Sequence, residues 1–306
     1  MNWFLIALGA PILWAIVNIV DDFLVSKYSQ KEKERSSGGL VLFSSLIGLL
    51  IALFILFFRT GIFSISTFDK ILLFVNGGLT VTWIILYLYA LEIEEVSNIV
   101  PWFLMIPVFG YILGYFFLGE MLTLKQMIGS SVIILGSFFI SIDFSGQKNK
   151  IKSKPVLYML GASLALAISG FIFKFVTISG DFWISSFWEY LGLGVLGLFL
   201  YLFVPKYRNE FLFMNKNGGK KIFVVNVLSE LMSISGNLLT NFALLLAPIS
   251  MVFLVGTFQP AIVMVLAFIG TKFFPHIIKE DISKEVMVPK TISIILMIIG
   301  SIFLFL

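Results

Sequence analysis

The sequence contains no cysteine and only one histidine among its 306 residues, and these shortages remove several kinds of site. Without cysteine the chain forms no disulfide and binds no metal through thiolates. The single histidine, His276, follows Pro275 in a predicted loop without a catalytic partner, so we expect it to be a solvated loop residue. The motifs of zinc proteases, serine hydrolases and P-loop ATPases are absent as well. We therefore expect no enzyme activity, no cofactor and no metal site.

Charged residues are also scarce, at 12% of the chain, whereas hydrophobic residues reach 59% and the mean hydropathy is +1.05. Because a soluble domain could not keep so much apolar surface out of water, the composition predicts an integral, multi-pass protein of the cell membrane. The hydropathy predicts ten helical spans, each close to the ~20 residues that cross ~30 Å of hydrocarbon. We expect them near residues 3–20, 40–58, 71–91, 96–118, 123–142, 156–178, 182–204, 222–246, 249–271 and 288–306. The first span lacks a preceding basic residue and a small-residue cleavage site, so we expect it to be retained and not removed as a signal peptide.

The two halves of the chain resemble each other at a shift of 153 residues. The matched positions are Ala90 with Ala243, Leu91 with Leu244, Ser97 with Ser250 and Pro107 with Pro260. Each half holds five predicted spans, and an odd number forces the second copy to lie inverted in the bilayer. The predicted fold is therefore an all-α polytopic membrane protein, with ten transmembrane helices arranged as two inverted five-helix repeats, 1–146 and 147–306, around a central cavity. Many secondary transporters are built in this way.

Lysine and arginine are distributed unevenly between the two predicted membrane faces. The loops after spans 1, 5, 7 and 9 hold seventeen of the 21, the loops on the other face hold Arg59, Lys70 and Lys125, and Lys174 lies inside a span. The positive-inside rule then places the seventeen in the cytoplasm and both termini outside. Because these residues are spread over short loops without interleaved aromatic residues, we expect no nucleic-acid partner.

A series of short motifs in the first half resembles a known family. The motifs are Tyr89-Ala90-Leu91, Glu94-Glu95-Val96-Ser97, Pro101, Pro107 and Leu118-Gly119-Glu120-Met121-Leu122-Thr123, followed by Gly129 and Gly136. Their order and spacing resemble EamA-domain proteins of the drug/metabolite transporter superfamily. The resemblance implies two EamA-like repeats, a cavity lined mainly by spans 1, 3, 4, 6, 8 and 9, and carriage of small metabolites. It also implies termini in the cytoplasm, opposite to the loop charge, so both orientations stay open.

Polar residues inside predicted spans are the candidates for a binding site, because a charge at mid-bilayer costs roughly 2.5–3.5 kcal/mol and normally faces a cavity or a partner. On span 8 the residues Glu230, Ser233, Asn237, Thr240 and Asn241 form one polar stripe at helical spacing. This face could bind hydroxyl, amide or amine groups of a solute, and Glu230 could carry a coupling proton. The alternative is that these side chains only hydrogen-bond neighbouring helices.

On span 3, Asn76, Thr80, Trp83 and Tyr87 share a face as well. Their aromatic rings could stack on a flat or cationic solute, or they are ordinary packing residues. The candidates that complete the lining are Asn18 on span 1, Trp102 on span 4 and Gln259 on span 9.

A second alignment of the halves, at a shift of 152, places Asp22 opposite Lys174 in the register. This predicts a gating or substrate-binding charge pair, or, alternatively, two charges that reach water at the ends of their spans. Pro107 and Pro260 predict matched helix kinks, because proline removes a helical hydrogen bond. We expect Glu189, which follows Trp188, to be a structural anchor near the interface.

These features predict a carrier that moves a small polar or amphipathic metabolite by alternating access. Since no ATP-binding motif is present, a proton or other ion gradient, or exchange of solutes, would drive concentrative transport. The alternative is a non-transporting lipid- or ligand-binding membrane protein, such as a sensor, or a lipid flippase. A monomer and a homodimer are both compatible with the sequence.

Overall fold

The computed structural model describes residues 2–27, 37–94, 99–140, 153–273 and 284–304, and within these ranges the chain is helical with no strand. The α-helices are α1 (Asn2–Lys27), α2 (Gly38–Phe58), α3 (Thr67–Ile93), α4 (Met105–Leu118), α5 (Leu124–Ile140), α6 (Ser153–Thr177), α7 (Phe182–Phe203), α8 (Pro205–Leu244), α9 (Ile249–Gly256), α10 (Gln259–Phe273) and α11 (Lys284–Phe303). A 3₁₀ helix, Val100–Leu104, leads into α4. The prediction of an all-α fold is confirmed. His276 and most of the lysine-rich loops lie outside the described residues.

In the described part of the chain, seven candidate spans are long and apolar enough to cross a membrane. They are α1, α2, α3, α6, α7, α8 and the combined segment Ile249–Leu266. Three further apolar helices, Trp102–Leu118, Leu124–Phe139 and Met287–Phe303, are shorter. A helix thus lies at each of the ten predicted positions, but the count of ten spans stays a prediction.

The outer surface of the bundle is strongly apolar. Phe57, Phe116 and Leu124 are 82%, 73% and 73% exposed. Exposed apolar patches of this kind are costly in water and favourable against lipid tails. The surface therefore suits a bilayer environment.

Most helix packing joins the first half of the chain to the second. α1 packs against α8, α2 against α7, α3 against α6, α4 against α9 and α5 against α11. Each of these helices has a counterpart in the other half: α1 with α6, α2 with α7, α3 with α8 and α5 with α11. Exchanging all counterparts gives the same set of contacts, because the contact of α1 with α8 then becomes that of α6 with α3. The two halves are thus interlocked through equivalent contacts.

Two glycines allow α3 and α7 to approach closely. A Cβ atom on Gly77 would meet the backbone of Glu189 and Leu193, and one on Gly192 would meet the carbonyl of Phe74. Small residues at such crossings let two membrane helices pack backbone against backbone. This contact places Asn76, the neighbour of Gly77, against α7.

The helix α8 is interrupted at Gly219, whose φ of 61° lies in the left-handed region that favours glycine. The segment before Gly219 buries Tyr207, Glu210 and Met214 on one face. The segment after it corresponds to the predicted eighth span. The long helix is therefore a short amphipathic helix followed by a spanning one.

Polar contacts join the two halves at both ends of the bundle. At the end where α2 begins, Glu210 accepts from the backbone N–H of Gly38 at 2.8 Å, and the hydroxyl groups of Tyr89 and Tyr207 are hydrogen-bonded. At the end where α2 finishes, Arg59 forms an ion pair with Asp181, which precedes α7. Each end of the bundle is thus held by contacts between the halves.

Candidate functional site

A cavity of about 100 Å³ lies inside the bundle, between helices of both halves. It exceeds the ~10–15 Å³ that a single water needs, so it can hold a small solute or several waters. The first half contributes the polar and aromatic residues Trp14, Asn18, Asp21, Ser44, Trp83, Tyr87 and Phe103. The second half contributes Ser169, Glu230, Ser233, Asn237, Thr240, Asn241, Phe253 and Gln259.

One wall of the cavity is a face of α1 on which Trp14, Asn18 and Asp21 follow one another at helical spacing. The indole Nε1 of Trp14 donates to the backbone carbonyl of Ser233 at 3.3 Å, which fixes the ring against α8. The Oδ1 atom of Asn18 accepts a hydrogen bond from the hydroxyl of Tyr87 at 3.1 Å. The other end of this amide, Nδ2, is buried without a hydrogen-bond partner. Asn18 thus has a donor available to a ligand.

A second wall is the polar face of α8. The hydroxyl of Ser44 on α2 donates to Oε1 of Glu230. Among the described residues no hydrogen-bond donor is assigned to Oε2, so this oxygen is available to a ligand. The Nδ2 atom of Asn237 lies 3.5 Å from the hydroxyl of Tyr190, at the limit of hydrogen-bonding distance. The predicted residues that do line the cavity are Asn18, Trp83, Tyr87, Glu230, Ser233, Asn237, Thr240, Asn241 and Gln259.

Three predicted lining residues, Asn76, Thr80 and Trp102, are not part of the cavity wall. The hydroxyl of Thr80 donates to the carbonyl of Asn76 one turn earlier in α3, at 3.3 Å. The carbonyl of Trp102 accepts from the hydroxyl of Ser163 on α6, at 3.1 Å. The side chain of Trp102 packs against the hydrophobic core, so we assign the three residues to packing between helices and not to the lining.

Glu189 on α7 lies behind the cavity wall and is only 2% exposed. Its Oε1 accepts from Nδ2 of Asn76 at 3.1 Å, and its Oε2 accepts from Nδ2 of Asn241 at 3.0 Å. A carboxylate accepts several hydrogen bonds, so two amide donors satisfy both oxygens. These contacts bury Glu189 between α3 and α8 and suit the structural role that the sequence predicts. Of its two partners only Asn241 reaches the cavity.

Lys174 has a different partner from the predicted one. Its Nζ lies 2.5 Å from Oε1 of Glu120 and 2.7 Å from the carbonyl of Ala247. The side chain of Asp22 lies outside the described part of the chain, so its predicted pair with Lys174 stays a prediction, and the partner that the structure shows for Lys174 is Glu120.

The Leu-Gly-Glu motif of the sequence explains how Glu120 reaches Lys174. Gly119, with φ of 65°, ends α4 in the left-handed conformation typical of a helix C-terminus. The chain then turns so that Oε2 of Glu120 accepts from the backbone N–H of Ile249 at 2.8 Å, at the start of α9. Glu120 therefore joins α4, α6 and α9 at one end of the bundle.

The two prolines lie at helix starts and not at kinks within helices. Pro107 is in the first turn of α4, directly after the 3₁₀ helix, and Pro260 is in the first turn of α10, after a turn at Thr257 and Phe258. Proline fits a first helical turn because its missing N–H has no partner there. Gln259, beside the second break, lines the cavity. The helix is thus interrupted at matched places in both halves.

Among the lining residues with a polar group, Trp14, Asp21, Ser44 and Ser169 are absent from the predicted site. Helical spacing from Asn18 identifies Trp14 and Asp21, because they lie four residues before it and three after it. The alignment of the halves at a shift of 152 selects the neighbouring residue Asp22 instead. No sequence signal marks Ser44 or Ser169, since single serines are common in membrane helices.

Long apolar helices that surround a cavity with some polar lining residues are typical of a multi-pass membrane protein. Residues 1–142 match the model of the EamA-like transporter family, so the first half of the chain is similar to the domain of these transporters. The resemblance recognised from the sequence motifs is thereby confirmed, as is the prediction of a multi-pass integral membrane protein.

A solved structure described as a crystal structure of a protein is similar over 99% of this chain and 96% of its own, with 11% identity and a TM-score of 0.71. At this identity the likeness shows the fold alone. A search of curated proteins finds no significant match.

Proposed function

We propose that the protein is a carrier that moves a small polar or amphipathic solute across the membrane by alternating access. The observation that carries this proposal is the cavity, because polar side chains from both halves of the chain line it. The family assignment of residues 1–142 supports it. A site at the boundary of two repeats is the usual place for a solute in secondary transporters.

The reciprocal packing of the halves supports the arrangement of ten spans as two inverted repeats. In such a fold one half rocks against the other, and the site opens to each side in turn. Opening one end requires that the Lys174 and Arg59 ion pairs separate, whereas opening the other requires that the Glu210 and Tyr207 contacts separate. The helix breaks near Pro107 and Pro260 supply places where such a movement can bend the chain.

Energy for concentrative transport would come from an ion gradient or from solute exchange, because the sequence has no ATP-binding motif. Glu230 is the candidate for binding a coupling proton, since it is a carboxyl group on the cavity wall. The second candidate function is a ligand sensor or lipid flippase that uses the same cavity.

Flux through the purified protein in sealed vesicles tests the proposal. We expect exchange of at least one class of isotope-labelled solute across vesicle membranes, and we expect Ser233→Phe to abolish it by filling the cavity. Ser235→Phe is the matched control, because it adds the same ring to an exposed position on α8. Binding of a solute without flux would favour a sensor. Movement of labelled lipid without any soluble solute would favour a flippase.

A further inference from the structure

The charge of the cavity wall distinguishes between classes of solute. Glu230 and Asp21 are acidic, and no lysine, arginine or histidine occurs among the described residues that line the cavity. Interactions between charges are stronger in a low-dielectric interior than in water. The lining therefore favours a cation and disfavours an anion.

Aromatic rings form a second feature of the wall. Trp14 and Trp83 line the cavity together with Tyr87 and Phe103, whose rings pack against each other with centroids 5.7 Å apart. The face of an aromatic ring attracts an ammonium group, and cages of such rings bind quaternary ammonium ligands. Aromatic rings beside a carboxyl group are thus suited to an organic cation.

The amide of Asn18 adds a third requirement. Asn18 is only 5% exposed, lines the cavity, and has a buried Nδ2 without a hydrogen-bond partner. Leaving a buried donor unsatisfied costs free energy. The amide does not turn to avoid this cost, because its Oδ1 accepts from the hydroxyl of Tyr87. A ligand that brings an oxygen acceptor to Nδ2 removes this cost.

We propose that the solute of this carrier is a small organic cation, an amine or quaternary ammonium, that also bears a hydroxyl or carbonyl oxygen. The inference rests on the carrier function proposed above and names its substrate class. Glu230 neutralises the positive charge, Trp14 and Trp83 contact the ammonium substituents, and Asn18 donates to the oxygen. The cavity of about 100 Å³ restricts the solute to a small molecule in this conformation.

Three matched probes test the charge and the oxygen separately. Choline carries both features, n-propyltrimethylammonium lacks only the hydroxyl, and 3,3-dimethylbutan-1-ol lacks only the charge. Equilibrium dialysis with the purified full-length protein should give choline the highest affinity, with the neutral alcohol at least about tenfold weaker and n-propyltrimethylammonium up to about tenfold weaker. Equal affinity for choline and the neutral alcohol, or no binding of either cation, would overturn the proposal.

Variants then assign the two features to residues. Glu230→Gln should weaken choline binding by about 10-fold to 100-fold without affecting the neutral alcohol, because hydrogen bonds to charged groups are the stronger ones. Glu230→Asp should restore part of the affinity. Asn18→Leu should remove the preference for choline over n-propyltrimethylammonium, and Ser235→Ala is the control. Unchanged choline affinity in Glu230→Gln would overturn the role of the carboxyl group, and an unchanged preference in Asn18→Leu would overturn that of the amide.

Binding and flux separate this inference from the proposed function. Choline binding that depends on Glu230, without any flux in vesicles, would support the inference and overturn the carrier. Flux of an anion or a neutral solute, without binding of either cation, would support the carrier and overturn the inference. The comparison of the three probes on the unmodified protein needs no variant, so it stands even if a substitution prevents folding.

Discussion

Replacing Lys174 with methionine tests the ion pair that joins α4, α6 and α9. The side chains of Lys174 and Glu120 are only 7% and 14% exposed. Removing one partner of a buried pair typically costs about 3–5 kcal/mol, because the other charge stays buried without its counterion. The backbone N–H of Ile249 still donates to Glu120 in the variant, so we expect a loss near the lower limit, about 3 kcal/mol.

A double variant that removes both charges tests whether Lys174 and Glu120 stabilise the protein as a pair. In Lys174→Met with Glu120→Gln no unpaired charge remains, and the glutamine can still accept from the N–H of Ile249. The double variant should therefore lose less stability than the sum of the two single variants, with a coupling of about 0.5–3 kcal/mol.

Thermal unfolding of the purified protein in detergent measures these differences. For domains of 150–250 residues about 1 kcal/mol shifts Tm by roughly 2–4 °C, so Lys174→Met should unfold roughly 6–12 °C lower. Lys206→Met is the matched control, because Lys206 is 64% exposed and its Nζ lies 3.9 Å from Glu210. An exposed pair contributes about 0–1 kcal/mol. The ion pair would be refuted if Lys174→Met were as stable as this control. It would also be refuted if the losses of the two single variants added up to the loss of the double variant.

Three further predictions concern packing, the buried acid and orientation. Gly77→Ala should destabilise the protein by about 1–3 kcal/mol in the same unfolding assay, because the added Cβ meets backbone atoms of α7. Gly78→Ala is the control and should be tolerated, because a Cβ there meets only the end of a flexible leucine side chain. Glu189→Ala should lower Tm more than Glu189→Gln, since it leaves two buried amide donors unsatisfied at about 1–3 kcal/mol each; the reverse order would contradict these contacts. If the loop charge sets the orientation, an impermeant thiol reagent on intact cells should label a cysteine at Ser179 and not one at Ser153, and the opposite pattern would show cytoplasmic termini.

Hydropathy predicts the helices well because a bilayer imposes a nearly fixed apolar length on each of them. The matched breaks near Pro107 and Pro260 follow only in part from the sequence. Proline predicts a disturbed helix, but the structure places each proline in a first turn after the break. The position of the break depends on the neighbouring helices, which local sequence does not describe.

Helical periodicity is also effective on the cavity wall of α8, because one polar face of an apolar helix must point away from lipid. Periodicity is less effective on α3, where the polar and aromatic face contains both cavity-lining residues and packing residues. Trp83 and Tyr87 face the cavity, whereas Asn76 and Thr80 pack toward α7 or within α3. The face of a helix is wide enough to contact a cavity and a neighbouring helix together, and periodicity does not separate them.

The two buried acids show what decides between packing and binding. In the sequence, Glu189 and Glu230 are both isolated carboxyl groups in apolar helices. In the structure, two amide donors satisfy both oxygens of Glu189, whereas Ser44 satisfies one oxygen of Glu230 and the residue lines the cavity. A carboxyl group whose acceptors are already paired has little to offer a ligand, because binding would first have to break those hydrogen bonds. The number of donors within reach, which depends on three-dimensional packing, therefore makes Glu230 the candidate for solute and proton binding and Glu189 a support for the wall behind it.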